Sequence, residues 1–351
     1  MSGPFRVALS GDFRKPDGAP VYPDFDLTPL KEAPGVEMLF LERSNPIEAA
    51  QIADIDALIL LTARFGRESI HPNGRLALVA RFGVGYDTVD VEALTEAGIV
   101  LAITPDGVRR PVAVSIVTLL LALTGKLMVK DRLTREGPPG FARRGDHMGV
   151  GLVGRTLGSV GIGNIGAELF RLVKPFDMHF IAHDPYADAK VAAELGVELV
   201  SLEEVFRRSD IVSVNCPLTP QTRGLVNAER LALMKPTAYL INTARGPIVD
   251  QKALTATLKA RRIAGAGLDV LEPEPPDADD PILKLDNVIH GGPHALCWTD
   301  QCFAGNGAAD VKAVLDVQHG RTPHLVVNRA VLETERWRSR MADFRARFGS
   351  K

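Results

Sequence analysis

Leu157-Gly158-Ser159-Val160-Gly161-Ile162-Gly163-Asn164-Ile165-Gly166 is the stretch on which the fold turns. Its first four residues read as a buried strand, and the chain from Ile165 to Lys174 reads as a helix. Between them Gly161 makes a tight turn, Gly163 lets backbone approach a pyrophosphate, and Gly166 lets the helix pack closely on its strand. The first turn of that helix, with Asn164 and Ile165, offers N–H groups and a positive dipole end to phosphates. Glycine-rich turns elsewhere mimic this pattern, so its surroundings decide. Asp184 ends the next predicted strand, at the spacing of a residue that accepts from a ribose 2′-hydroxyl. A carboxylate there repels a 2′-phosphate, and Pro185-Tyr186-Ala187-Asp188 supplies no arginine to rescue one. The predicted cofactor is NAD rather than NADP.

Outward from this stretch, strands are predicted at residues 157–161, 178–183, 211–215, 238–242, 265–269 and 288–290. Helices fall between them at 165–174, 202–207, 228–233 and 252–260, and a further one at 300–319. Six strands with intervening helices define one doubly wound, parallel-sheet domain. Upstream, Val7-Ala8-Leu9, Ala57-Leu58-Ile59-Leu60-Leu61, Leu78-Val79-Ala80 and Ile99-Val100-Leu101-Ala102 read as buried parallel strands. Residues 46–53 and 89–97 read as helices, the second closed by Gly98. That alternation gives a smaller α/β domain of right-handed βαβ units.

Thr104-Pro105-Asp106-Gly107 breaks the pattern, and a long apolar helix is predicted over 111–127. Pro111 is tolerated in its first turn because that N–H has no intrahelical partner. The irregular segment from Gly137 to Gly154 crosses either between domains or between subunits. After Arg321-Thr322-Pro323 the chain turns back onto the first domain and ends in a charged helix over 332–348. The fold class is α/β with two Rossmann-like domains, residues 1–107 with 300–351 and residues 108–299.

Composition narrows the function. With 351 residues the chain is long enough for two domains, and its 46% hydrophobic and 24% charged content is ordinary for a globular protein. A net charge of -2 gives no reason to expect nucleic acid or an anionic membrane as partner. Five arginines between Arg336 and Arg347 interleave with Glu333, Glu335 and Asp343, which makes a solvated face or a subunit contact. Cys216, Cys297 and Cys302 lack metal-ligand spacing, as do His71, His147 and His179, so no metal is predicted. Free thiols point to a reducing cytoplasm. Met1-Ser2-Gly3-Pro4-Phe5-Arg6-Val7 does not read as a secretory leader, and the apolar run from Val112 to Leu123 is too short to span a bilayer.

Three charged side chains follow the glycine-rich turn, each in a distinctive context. Arg245 lies in Asn242-Thr243-Ala244-Arg245-Gly246, Glu274 in Glu272-Pro273-Glu274-Pro275, and His294 in Gly292-Pro293-His294. A guanidinium holds a carboxylate bidentately, and an imidazole passes a proton near neutral pH. A carboxylate beside that imidazole orients it. With a dinucleotide site, these parts suit hydride exchange at a 2-hydroxy or 2-oxo acid. Singly, each has a plainer reading, as a satisfied buried histidine or a structural ion pair.

Here the sequence resembles the D-isomer-specific 2-hydroxyacid dehydrogenase family, over about residues 55 to 328. The carriers are Gly161 to Gly166, His183-Asp184-Pro185, Cys216-Pro217-Leu218-Thr219-Pro220, Met234 through Gly246, Gly267-Leu268-Asp269-Val270, and Pro293-His294. The resemblance implies an NAD-binding domain, a smaller flavodoxin-like substrate domain, and a cleft between them. It implies that Arg245 holds the substrate carboxylate, that His294 is the acid/base, and that Glu274 is its partner. Asp269 matches a residue near the nicotinamide. Cys216-Pro217 and Thr243-Ala244 match cofactor-binding loops, and the N–H groups of Val84 and Gly85 match a carboxylate-receiving loop. Members are usually homodimers. Glyoxylate, hydroxypyruvate and phosphoglycerate-like acids lead the candidate substrates.

The chain departs from the family pattern in places. Valine occupies Val112-Ala113-Val114-Ser115 where members commonly carry glutamate, which bears on the dimer interface. Leu296 and Trp298 replace small residues after His294, and Trp298 either narrows the pocket or fills a dimer core. Glu274, where formate dehydrogenases of the family carry glutamine, argues against formate. Arg64 either touches a distal substrate group or is solvated. A competing reading is an NAD(H)-sensing, corepressor-like binding protein on the same scaffold, which would keep the same triad.

Overall fold

A computed structural model describes residues 3–349; Met1 and Ser2, part of the leader reading, lie outside them. The chain divides into two compact units, residues 1–108 with 299–351, and residues 109–298.

The first unit is built on five parallel strands: β1 (Phe5–Leu9), β2 (Val36–Phe40), β3 (Ala57–Leu60), β4 (Leu78–Arg81) and β5 (Val100–Ile103). Their order is β2-β1-β3-β4-β5, the doubly wound arrangement of flavodoxin-like sheets. In β3 all four side chains are fully buried, as a strand covered on both faces requires. The edge strand β2 was not predicted, because Val36-Glu37-Met38-Leu39-Phe40 is only partly buried and lacks a continuous apolar run. The helix expected over 46–53 is instead a 3₁₀ turn, Ala49–Ile52. There the Glu48 side chain caps the Gln51 N–H and Gln51 reaches back to the Glu48 N–H. The returning helix Asp300–Gln318 and the final helix Glu335–Phe348 pack Val311, Val314, Val317, Trp337, Met341 and Phe344 into this core.

The second unit carries seven parallel strands: β6 (Thr156–Val160), β7 (His179–His183), β8 (Val197–Leu199), β9 (Ile211–Val214), β10 (Tyr239–Asn242), β11 (Gly265–Leu268) and β12 (Val288–His290). The order β12-β11-β10-β9-β6-β7-β8 reverses at β6, where a Rossmann sheet binds its dinucleotide. Six strands were predicted; the seventh, β8, is a three-residue edge with Leu199 exposed. A short helix before it, Ala189–Glu194, was also missed.

The long apolar helix runs from Pro105 to Thr124 rather than over 111–127. It stops because Lys126 takes a left-handed backbone (φ 56°), after which Leu127–Arg135 forms a separate helix. The segment read as irregular from Gly137 contains a further short helix, Pro138–Ala142. At 20 residues the long helix is apolar enough to cross a bilayer by length and composition, contrary to the shorter span read from sequence. Its apolar side chains are used within the protein: Ile116, Leu119, Leu120 and Leu123 belong to the core of the second unit. Gly267 on β11 admits this helix, since an added Cβ would lie 3.1 Å from the Leu119 Cβ.

Candidate active site

The glycine-rich turn follows β6 and leads into the helix Asn164–Val173. Gly161 has φ +100°, and a Cβ there would sit 2.9 Å from the Asn215 carbonyl. At Gly166 an added Cβ would sit 2.6 Å from the Gly161 carbonyl oxygen, so glycine sets how closely the helix approaches its strand. Gly163 is different: a Cβ there would meet nothing within 4 Å. Its missing side chain leaves open space where a pyrophosphate would pass. Gly163 is also the N-cap, and no side chain caps this helix, so the first-turn N–H groups of Asn164 and Ile165 remain for an anion. These features fit a dinucleotide.

Asp184 follows β7. Its Oδ2 accepts the Ile162 N–H at 3.0 Å and its Oδ1 accepts the Tyr186 N–H at 2.9 Å, which fixes the carboxylate beside the turn. Two residues that sequence reasoning missed brace the turn from beneath. The Ser159 hydroxyl donates to the Gly161 carbonyl at 2.6 Å, and Asn215 Nδ2 donates to Ser159 Oγ at 2.8 Å. Cys216 continues from β9, where burial, with the Asp184 charge in support, pushes its thiol up to about 11. It is an inert thiol at neutral pH. The Pro217 carbonyl accepts the Thr222 hydroxyl at 2.6 Å, which closes this loop.

Arg245, Glu274 and His294 all belong to the second unit, on loops at the carboxyl ends of β10, β11 and β12. His294 Nδ1 and Glu274 Oε2 lie 3.0 Å apart, and Glu274 Oε1 accepts the Leu271 N–H at 3.0 Å. Burial pushes the Glu274 carboxyl up, but the His294 hydrogen bond and charge, the Leu271 N–H and the Arg245 charge together bring it below the usual carboxylate range. Arg245 therefore acts on the same locality as the histidine pair. Its guanidinium Nη1 donates to the Ala244 carbonyl at 2.8 Å, and Thr243 and Ala244 are half-buried beside it.

Asp269, at the end of β11, anchors the histidine loop. Its Oδ1 accepts the N–H groups of Ala295 and Leu296 at 3.2 and 3.1 Å, and its carbonyl accepts the His294 N–H at 2.8 Å. Burial raises the Asp269 carboxyl above its ordinary value, against those N–H bonds and the His294 charge. His294 itself takes a left-handed backbone, φ 56°, a conformation uncommon for a residue other than glycine. Trp298, four residues on, is 47% exposed, so it fills no core within this chain.

Val84 and Gly85 belong to the first unit, on the loop after β4. Thr104 fixes the start of that loop: its Oγ1 accepts the Gly83 N–H at 2.7 Å and its N–H donates to the Gly83 carbonyl at 2.9 Å. Among the described residues no acceptor takes the N–H of Val84 or Gly85. Arg64 is exposed and lies 3.8 Å from Glu68. Among the described residues no group of three or more His, Cys, Asp or Glu side chains is placed to hold a metal ion.

A doubly wound sheet with this turn, and a paired imidazole and carboxylate beside a guanidinium, defines a nucleotide-dependent oxidoreductase. The comparisons with known proteins agree. Residues 117–295 match the NAD-binding domain of the D-isomer specific 2-hydroxyacid dehydrogenases. A glyoxylate reductase of Korarchaeum cryptofilum is 38% identical over 86% of this chain and 89% of its own length. A D-3-phosphoglycerate dehydrogenase of Methanocaldococcus jannaschii is also 38% identical, over 79% of this chain, but the chain spans only 52% of that longer relative. The structure of D-lactate dehydrogenase from Aquifex aeolicus, complexed with NAD and lactic acid, aligns with a TM-score of 0.75 at 27% identity, covering 88% of this chain and 94% of that one. The chain belongs to the D-isomer specific 2-hydroxyacid dehydrogenase family. It is an NAD-dependent oxidoreductase that interconverts a D-2-hydroxy acid and its 2-oxo acid. Nothing in these comparisons favours the nucleotide-sensing alternative.

Proposed function

We propose that this enzyme reduces a small 2-oxo acid of the glyoxylate or hydroxypyruvate type, with Arg245, Glu274 and His294 as its catalytic residues. The observation that carries the assignment is the 3.0 Å contact between His294 Nδ1 and Glu274 Oε2, which leaves Nε2 as the ring nitrogen for proton exchange. Bound NADH supplies the hydride to C2. The Arg245 fork holds the carboxylate and carbonyl oxygen, so that the carbonyl is oriented and polarised. His294 Nε2 delivers a proton to the carbonyl oxygen as charge develops there, and Glu274 stabilises the imidazolium before transfer. In the oxidative direction the same nitrogen takes the hydroxyl proton.

On this reading the unit of residues 109–298 is the NAD-binding domain, and the unit formed by the two chain ends is the substrate domain. Gly161, Gly163, Asn164, Ile165 and Gly166 cradle the pyrophosphate, and Asp184 accepts the ribose hydroxyl. Cys216, Pro217, Thr243, Ala244 and Asp269 line the nicotinamide side, and the Val84 and Gly85 N–H groups receive the substrate carboxylate. The reading also includes a homodimer. Val114, Leu121, Leu127, Met128, Phe141 and Met148 of the second unit are all exposed, which supports a subunit contact there. Cys216, Cys297 and Cys302 lie outside any disulfide, which supports a reducing, cytoplasmic setting.

The test is steady-state NADH oxidation with glyoxylate, hydroxypyruvate, pyruvate and a phosphorylated 2-oxo acid, repeated with NADPH and in the oxidative direction. Turnover of glyoxylate or hydroxypyruvate in preference to the others is expected. Tight NADH binding without consumption by any of them would overturn the reading. Light scattering on the purified protein reads the dimer.

A further inference from the structure

Arg245 cannot aim itself, because a long side chain on a loop takes its direction from the backbone beneath it. That backbone is held by one buried amide. Asn242 ends β10 and is 1% exposed, enclosed between β9 and β11. Its Oδ1 accepts the Ala244 N–H at 3.0 Å, and its Nδ2 donates to the Arg245 carbonyl at 2.9 Å. One short side chain therefore satisfies a donor and an acceptor on the two residues that set the Arg245 Cα–Cβ direction.

The next residue closes the same loop from the other side. An added Cβ at Gly246 would sit 1.8 Å from the Leu271 carbonyl oxygen, so the loop is seated directly on the backbone three residues before Glu274. Asn242 also joins the histidine loop. Its carbonyl accepts the Asp269 N–H at 3.0 Å, and the Asp269 carbonyl accepts the His294 N–H at 2.8 Å. The arginine loop after β10 and the histidine loop after β12 are thus joined through the end of β11, the strand between them.

We propose that Asn242 is a positioning residue, whose carboxamide bridges Ala244 and Arg245 and so fixes where the guanidinium meets the substrate carboxylate. This rests on Arg245 being the carboxylate-binding group. Only asparagine fits the role at this reach. Aspartate keeps the acceptor for Ala244 but turns a second oxygen on the Arg245 carbonyl, and alanine leaves the Ala244 N–H without its acceptor and the Arg245 carbonyl with only the Ile248 N–H, at 3.3 Å.

The experiment is a double-mutant cycle, read by NADH oxidation with glyoxylate and with hydroxypyruvate, beside NADH binding by fluorescence and thermal unfolding. Asn242→Ala should lower kcat/KM by about 10²-fold, through a raised KM for the 2-oxo acid and a lower kcat, since a misplacement near 1 Å is enough for such a loss. NADH affinity should fall far less than kcat/KM, because the substitution leaves the dinucleotide turn untouched and loosens only Ala244 on the nicotinamide side. In an Arg245→Lys background, where the bidentate fork is already gone, Asn242→Ala should cost no more than about twofold, the signature of two residues acting as one unit. Should Asn242→Ala not fold, Asn242→Asp carries the same comparison with an intermediate loss expected. Near wild-type kcat/KM in a folded Asn242 variant, or an equal loss in both backgrounds, overturns the proposal while leaving Arg245 in place. Unchanged activity in Arg245→Lys and Arg245→Ala overturns the parent assignment and this one together.

Discussion

Asp184 Oδ2 receives the Ile162 N–H at 3.0 Å, so the carboxylate assigned to the ribose also ties β7 to the glycine-rich turn. One side chain thus couples turn geometry to cofactor choice. A carboxylate has lone pairs left for a ribose hydroxyl after accepting two N–H groups, but it repels a 2′-phosphate. NADH should be used at least about 100-fold better than NADPH in kcat/KM. Asp184→Ala should raise the KM for NADH by about 10–100-fold, the worth of a hydrogen bond to a charged group. It should also lower the melting temperature, because Ile162 and Tyr186 lose their acceptor. Kinetics with both nucleotides check this, and equal use of NADPH by the wild type would refute it.

His294 and Glu274 make a second prediction. Removing the imidazole as His294→Asn should cut kcat by about 10²–10⁴-fold, the usual worth of a positioned acid/base, with NADH binding retained. A kcat within about tenfold of wild type in folded His294→Asn would contradict the role.

The partner carboxylate carries a separate pH signature. Glu274 is held below its ordinary value of 4.5 in the folded protein. A carboxyl with a depressed native pKa contributes stability that is present above the unfolded value and lost as pH falls through the folded one. The wild type should therefore lose more melting temperature than Glu274→Gln as pH drops from about 5 toward 3. Glu274 is partly exposed, so the difference should be small. Melting curves at pH 3, 4 and 5 measure it, and a larger acid loss in the glutamine variant would reverse the sign.

Gly246→Ala tests the seat of the arginine loop. The added methyl would fall 1.8 Å from the Leu271 carbonyl oxygen, and neither backbone can yield without moving Arg245 or the Glu274 loop. Overpacking of this kind costs about 1–3 kcal/mol. Activity should fall further than stability, by about 10²-fold in kcat/KM, because the displaced group is the one proposed to orient the substrate. Gly163→Ala is the natural comparison: its Cβ meets no protein atom, so it should leave folding intact while weakening NADH binding.

These contrasts mark what the sequence could and could not carry. Buried parallel strands were legible because they are short uninterrupted apolar runs, as in Ala57-Leu58-Ile59-Leu60. The edge strands β2 and β8 were not, since an edge is half solvated and Glu37 and Glu198 interrupt the apolar run. The end of the long helix was misjudged because Leu127 continues the apolar pattern, while the break comes from the backbone at Lys126. For the site, the candidate side chains stand out by their contexts, and the structure sets two of them 3.0 Å apart. Asn242, Ser159 and Asn215 carry no such mark in the sequence, and the context of Asp269 points to the cofactor, not to the loop it anchors. Their roles depend on which N–H or carbonyl a folded loop presents to them, and no spacing in one sequence encodes that.

Asp310 lies far from this chemistry in role, and its burial gives the last prediction. It sits on the helix Asp300–Gln318 with its Oδ2 unbonded, and burial raises its carboxyl well above 3.8 despite the opposing charge of Arg81. A carboxyl with a raised native pKa stabilises the fold below the unfolded value, and that contribution is lost as pH climbs through the folded one. Asp310→Asn has the same shape and does not titrate. The melting temperature of the variant minus that of the wild type should therefore increase from about pH 4 toward neutrality, as ionisation of a buried acid weighs only on the wild type. Unfolding curves of both proteins at pH 4, 5.5 and 7 test this. A gap that stays constant or narrows with rising pH would mean that Arg81 offsets the cost of burying the charge, and that the acid is ionised throughout.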